Sequence, residues 1–230
     1  MEIGILLFPD NTQLDLAGPQ EVFSRVPEAK VRLIAAELGP VASDNGLRIL
    51  PDLTREQCPP MDILCVPGGA GVNALIQDDA WLDFIASQGR GARFVTSVCT
   101  GALALGAAGL LKGYKATTHW LYLPILEACG AVPVAERVVR DRNRWTGGGV
   151  TAGIDMALAL AGELSGLAAA QKIQLAMEYN PRPPFQSGHP SEAPAGITRE
   201  LAEAKEERDY FAWRLGLVKD ALSRRAGKAV

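Results

Sequence analysis

Cys99 stands where a strand-like run, Arg93–Ser97, passes into an Ala/Leu/Gly-rich stretch, Thr100–Gly109, with almost no loop between them. Such a sharp turn pushes one side chain out above the carboxyl edge of a sheet, where α/β proteins place their sites. The start of the following helix offers partial positive charge and free N–H groups, which favours a thiolate and so a nucleophile. Small residues at Gly101, Ala102 and Ala104 let that helix lie close against the strand. The competing reading is a buried structural cysteine, often the role of a lone Cys in apolar company. The other thiols read that way. Cys65 lies inside an apolar run, Cys58 precedes Pro59-Pro60, and Cys129 closes a helix before Gly130.

Three further segments carry candidate chemistry. Val66-Pro67-Gly68-Gly69-Ala70-Gly71 follows a strand, and its glycines allow backbone N–H groups to converge on a developing negative charge. It lacks the Lys-Ser/Thr of a phosphate loop, and a plain turn is the alternative. Asp15, bracketed by Leu14 and Leu16 just ahead of a helix expected from Pro19, either caps that helix or sits in a partly buried pocket. Facing a thiolate there, its pKa would rise and suit it to proton transfer. Thr146-Gly147-Gly148-Gly149-Val150-Thr151 joins a strand to a helix, with Thr151 as a possible cap and Asp155 as a first-turn charge. His119 is either a base for Cys99 or a satisfied histidine beside a helix start.

The elements that must position these residues alternate along the chain. Short apolar runs (Ile3–Phe8, Lys30–Ala36, Asp62–Val66, Arg93–Ser97) are strand candidates, with weaker ones near Lys115–Thr118 and Val132–Val134. Helical stretches follow at Pro19–Arg25, Ala80–Gly89, Thr100–Gly109, Leu121–Ala128, Thr151–Glu163 and Ala168–Met177. This alternation predicts a mostly parallel sheet covered on both faces. Asn45-Gly46 marks a hairpin, and Glu136–Thr146 reads as a β-ribbon turning through Asp141–Asn143. The expected organisation is a catalytic domain over 1–180, a proline-rich connector over 181–195 and a C-terminal helical extension over 196–230. In that extension Leu201, Ala204, Phe211, Leu215 and Val218 fall near one helical face.

Composition narrows the classes. The chain has 23 Lys and Arg against 26 Asp and Glu, a slight negative excess that argues against nucleic acid as a partner. The early apolar run is too short for a leader or a membrane span, so a cytoplasmic protein without a membrane partner is expected. The four cysteines show no CxxC spacing, which predicts free thiols, and two distant histidines argue against a metal site.

Together, Leu14–Pro19, Pro67-Gly68-Gly69, Thr96–Gly101, Ala116–Trp120 and Thr146–Asp155 resemble the DJ-1/PfpI superfamily, and within it the isocyanide hydratase branch. The likeness spans roughly residues 1–190. It implies a flavodoxin-like three-layer α/β sandwich and a cytosolic homodimer that needs no cofactor. The implied reaction is hydration of an isocyanide by water to an N-substituted formamide. Carried over by motif, Cys99 is the nucleophile forming a thioimidate and Asp15 the general acid/base. Thr100 is a polar neighbour, Gly69 and Ala70 are backbone donors, and Val150 lines the site. Val150 stands where that branch carries isoleucine, a small change in packing.

Several rivals follow from the same residues. Glutamine amidotransferases and cysteine peptidases want a histidine base, and PfpI-type sites place it directly after the cysteine, where this chain has Thr100. A glyoxalase-type activity is disfavoured on the same ground, less firmly. A regulator's ligand-sensing half would carry a longer DNA-binding tail, and a redox sensor would use Cys99 oxidation.

Overall fold

The structure, a computed structural model, describes residues 1–227; the last three residues of the expected C-terminal extension lie outside that range. The chain begins with β1 (Glu2–Leu6), α1 (Gln13–Phe23), β2 (Lys30–Ala35), β3 (Val41–Ala42), β4 (Arg48–Ile49) and β5 (Leu53–Thr54). It continues through β6 (Ile63–Val66), α2 (Val72–Gln77), α3 (Asp79–Gly91), β7 (Phe94–Val98), α4 (Gly101–Ala107) and β8 (Lys115–Ala116). Next come α5 (Ile125–Ala128), β9 (Val132–Pro133), β10 (Val138–Asp141), β11 (Arg144–Gly147) and α6 (Ala152–Ser165). The chain then ends in α7 (Leu167–Ala176), α8 (Ala195–Glu203) and α9 (Lys205–Ala226).

Seven strands form one sheet in the order β10-β11-β7-β6-β1-β2-β5. All neighbours in it run parallel except β10 and β11. The alternation of side chains across a strand builds two cores from one sequence run. In β6, Ile63 and Cys65 join the core under α1, α6 and α7, while Leu64 and Val66 join the opposite core under α2, α3, α4 and α9. The three-layer α/β sandwich expected from the sequence is therefore present. Its active edge is set by β1, β6 and β7, which are adjacent and parallel, so their following loops emerge side by side.

Three local expectations change, and one gains a place in the sheet. The helix expected from Pro19 begins six residues earlier, at Gln13, and Pro19 lies inside it. Pro19 is kept there by close packing on α6, where a Cβ added at Gly153 would come within 3.0 Å of the proline ring. The Glu136–Thr146 ribbon forms as expected, from β10 and β11, and the pairing of β11 with β7 makes it the sheet's edge. Pro124 interrupts the expected Leu121–Ala128 helix, leaving a short 3-10 turn at Trp120–Tyr122 and then α5. The C-terminal amphipathic run is two helices, with the break at Ala204. Leu201 is exposed, while Phe211, Leu215 and Val218 of the expected face do pack on the core, and α9 buries Arg214 and Ala221 beside them.

Candidate active site

Cys99 occupies the single step between β7 and the start of α4 and has φ of 54°, a left-handed conformation that costs a non-glycine residue on the order of 1–2 kcal/mol. Two hydrogen bonds hold it there. The Cys99 N–H donates to the Gly147 carbonyl at 3.0 Å, and the Thr118 hydroxyl donates to the Cys99 carbonyl at 2.7 Å. The turn is tight because Gly101 lies against β6, where a Cβ would fall 2.0 Å from the Val66 carbonyl oxygen. The expected elbow is present, and its thiol is almost wholly buried, with Cys99 5% exposed.

Asp15 lies in the first turn of α1 and is fully buried. It caps nothing. Its Oδ2 accepts the Gly68 N–H at 3.0 Å, and its side chain faces the Cys99 thiol as a hydrogen-bonding neighbour. Its other oxygen, Oδ1, is buried without a partner of ordinary hydrogen-bond geometry. Gly68 has to be glycine. An added Cβ would stand 2.7 Å from Asp15 Oδ2, 2.7 Å from the Thr100 nitrogen and 2.8 Å from Thr100 Oγ1.

Thr100 ties the elbow to the glycine loop. Its hydroxyl accepts the Gly69 N–H at 3.0 Å and can return a bond to the Gly69 carbonyl at 3.2 Å. Gly69 has φ of 118°, and a Cβ there would sit 2.4 Å from the Thr12 nitrogen, so the loop's path depends on it. The Gly69 N–H is thus already engaged by Thr100, while Ala70 follows it exposed to solvent.

Electrostatics at the pair overturn one expectation. Burial, the Asp15 charge beside it and the hydrogen bond to Asp15 hold the Cys99 thiol well above its usual range, outweighing the Thr100 N–H and the Arg214 charge. Burial likewise raises Asp15 from 3.8 to about 7, although the Gly68 N–H and Cys99 pull the other way and Asp44 adds a little repulsion. The helix start does not by itself make a resting thiolate, because desolvation of a buried anion is the larger effect.

The remaining candidates separate. Val150 lies in the wall of a cavity of about 660 Å³, together with Thr118, Trp120, Arg137, His189 and Pro190. Thr118 connects that cavity to the elbow through its bond to Cys99. His119 does not join the thiol: its ring lies 5.7 Å from that of Tyr122, and burial lowers its pKa. Thr151 makes no capping bond, and instead accepts from Arg137, which also pairs with Asp155. Cys58, Cys65 and Cys129 are free thiols, the last two buried. Sequence reasoning passed over Gly68 as the Asp15 donor, although it lies in the Pro-Gly-Gly run, and passed over Thr118 and Arg214.

With this geometry in hand, comparison is decisive for kinship: residues 1–163 match the DJ-1/PfpI family. The chain belongs to that family. It is 56% identical over 200 residues to the isonitrile hydratase of Pseudomonas putida, covering 87% of this chain and 88% of that protein. It is 34% identical over 172 residues to the HTH-type transcriptional regulator GbdR of Pseudomonas aeruginosa, covering 71% of this chain and 47% of the regulator. A THiJ/PfpI family protein from Pseudomonas syringae superimposes with a TM-score of 0.88 at 42% identity, covering 96% of this chain and 90% of that one. Among the described residues, no helix is long and apolar enough to cross a membrane.

Proposed function

We propose that this protein is an isocyanide hydratase working through a covalent Cys99 thioimidate, with Asp15 carrying the protons. The observation that carries the reading is the buried Asp15–Cys99 pair, whose carboxyl titrates at about 7 with a residue other than histidine after the cysteine. The high identity to an isonitrile hydratase across most of both chains supports the same substrate class.

The chemistry follows from the pair. Ionised Asp15 takes the thiol proton as the sulfur adds to the terminal isocyanide carbon, and that proton then passes to the same carbon. The product is a thioimidate, R–N=CH–S–Cys99. Asp15, ionised again, takes a proton from water as the water oxygen attacks that carbon, and passes that proton on to the nitrogen, which leaves Asp15 ionised once more. The C–S bond of the tetrahedral adduct breaks, the hydroxyl proton returns to the sulfur by way of Asp15, and R–NH–CHO leaves. Thr100 and the Gly69–Ala70 loop, tied to each other by the Thr100–Gly69 bonds, shape the reacting centre, and Val150 bounds the neighbouring cavity taken as the substrate's. The reading takes residues 1–180 as the catalytic unit of a cytoplasmic homodimer, with isocyanide and water as reactants and no cofactor.

A redox or ligand sensor is the weaker reading, since a buried thiol held above its usual range resists oxidation. Purified protein incubated with a simple isocyanide should release the formamide, and intact mass should reveal the adduct. Cys99→Ser should abolish turnover; a Cys99→Ser variant of normal activity ends the proposal. Methylglyoxal assayed alongside separates a glyoxalase-type activity.

A further inference from the structure

Arg214 is the largest fully buried side chain of the described structure, at 2% exposure, although it lies in a charged C-terminal helix. Its Nε donates to Asn73 Oδ1 at 2.8 Å and its Nη2 to the Tyr210 hydroxyl at 2.8 Å. The guanidinium also lies over the rings of Tyr122, at 4.2 Å, and Tyr210, at 4.5 Å. Among the described residues no carboxylate forms an ion pair with it; Glu207 is bound instead by the Tyr122 hydroxyl. An arginine stays charged in such a place, and a buried charge without a counter-ion is costly. Neutral acceptors and ring faces recover part of that cost. A purely structural anchor would do better with a carboxylate.

The position of Arg214 gives the charge a use. Helix α9 packs on both α2 and α4, the helices that emerge from the glycine loop and from the Cys99 elbow. Asn73 is the second residue of α2, and its N–H bonds the Ala70 carbonyl in the loop. We propose that Arg214 is a positioning residue of the active site: α9 carries its cation inside to anchor Asn73 beneath the glycine loop and to favour negative charge at the Cys99 sulfur. The C-terminal helix, beyond the part of the chain that matches the family, then completes the site. Around Cys99 the charged and titratable groups are Asp15 from α1, Cys65 from β6 beside Asp15, and Arg214. Around Arg214 they are Tyr122, His119, Glu207 and Tyr210. Arg214 acts on the thiol in the direction that opposes burial and the Asp15 charge.

The inference rests on Cys99 being the nucleophile, and its test reads the thiol directly. Asn73→Asp changes one atom, keeps the bond from Arg214, and gives the guanidinium a counter-ion. The Tyr210 hydroxyl, which now accepts from Asn73 Nδ2 at 2.6 Å, can donate to the new carboxylate. Alkylation of Cys99 by iodoacetamide, followed by peptide mass against pH, should slow about three- to tenfold near neutral pH, and its profile should move to higher pH. Arg214→Gln should do the same, and Arg214→Lys should restore much of the parent profile. A folded Asn73→Asp variant with the parent alkylation profile overturns the proposal, as does Arg214→Lys slowing as much as Arg214→Gln. Isocyanide turnover is scored separately: parent protein that is inert to isocyanides but shows these alkylation shifts removes the hydratase reading and keeps this one.

Discussion

Replacing Asp15 with Asn should abolish turnover and, as pH rises, make the protein progressively more stable relative to its parent. Asp15 is fully buried, and its pKa moves from 3.8 to about 7 on folding because burial disfavours the charged carboxylate. Between those values the native state holds a proton that the unfolded chain has lost. Parent stability therefore falls as pH rises through that window and levels off above about 7. At about 1.4 kcal/mol per unit, the full cost of ionising this carboxyl inside the protein is about 4 kcal/mol. Roughly two units of the window lie above pH 5, so the gap between variant and parent should widen by about 2.5–3 kcal/mol from pH 5 to pH 8. An asparagine oxygen can still accept the Gly68 N–H, but its amide would inherit the partnerless position of Asp15 Oδ1. That adds a penalty of about 1–3 kcal/mol that does not vary with pH, so the slope carries the test and the offset does not. Urea denaturation of both proteins at pH 5, 6, 7 and 8 measures it. Parallel stability curves across that range would falsify the assignment of a buried, destabilised carboxylate.

Gly68→Ala should lower kcat/KM about a hundredfold, because the methyl meets Asp15 Oδ2 and both Thr100 atoms inside 3.0 Å and must displace reacting groups by roughly an ångström. Its stability should drop by about 1–3 kcal/mol, whereas Gly91→Ala, with nothing within 4 Å of the added atom, should leave both activity and melting temperature close to the parent. In the parent, kcat/KM for an isocyanide should rise with pH through about 7 as the Asp15–Cys99 pair loses its first proton. A limb lying well away from 7 in the parent would assign it to another group.

The elbow was legible because its signal is local. A β-branched run meeting a small-residue helix without a loop leaves Cys99 nowhere to go but the sheet's carboxyl edge. Asp15 was legible by type, since a carboxylate between two leucines is expensive to leave unpaired, but its helix was misplaced. A proline reads as a first-turn residue, and only the close approach of Gly153 on α6, over a hundred residues away, makes Pro19 tolerable inside α1. The thiolate expectation failed for a related reason. A helix start can be seen in sequence, while the burial that outweighs it depends on α1, the glycine loop and the elbow closing together. Arg214 had no local signal at all, being one of many charges in the last helix. Its burial is decided by Asn73, Tyr122 and Tyr210, which the sequence scatters across three elements.

The raised thiol and the raised carboxyl share a leading cause, burial in one water-excluded site. Two anions in contact inside a low-dielectric site repel strongly, so the Asp15–Cys99 pair carries at most one negative charge near neutral pH. A histidine after the cysteine would form a thiolate–imidazolium ion pair and store the nucleophile already charged. Thr100 stands there instead, with its hydroxyl spent on Gly69. The proton must then leave the sulfur as the new bond forms, into a carboxylate whose affinity for it has been raised by burial to match. That arrangement demands a substrate whose attacked carbon can take the same proton back, and a terminal isocyanide carbon is such an acceptor. A carbonyl electrophile instead places its negative charge on oxygen, where an oxyanion hole is wanted, and here the Gly69 N–H is already committed to Thr100.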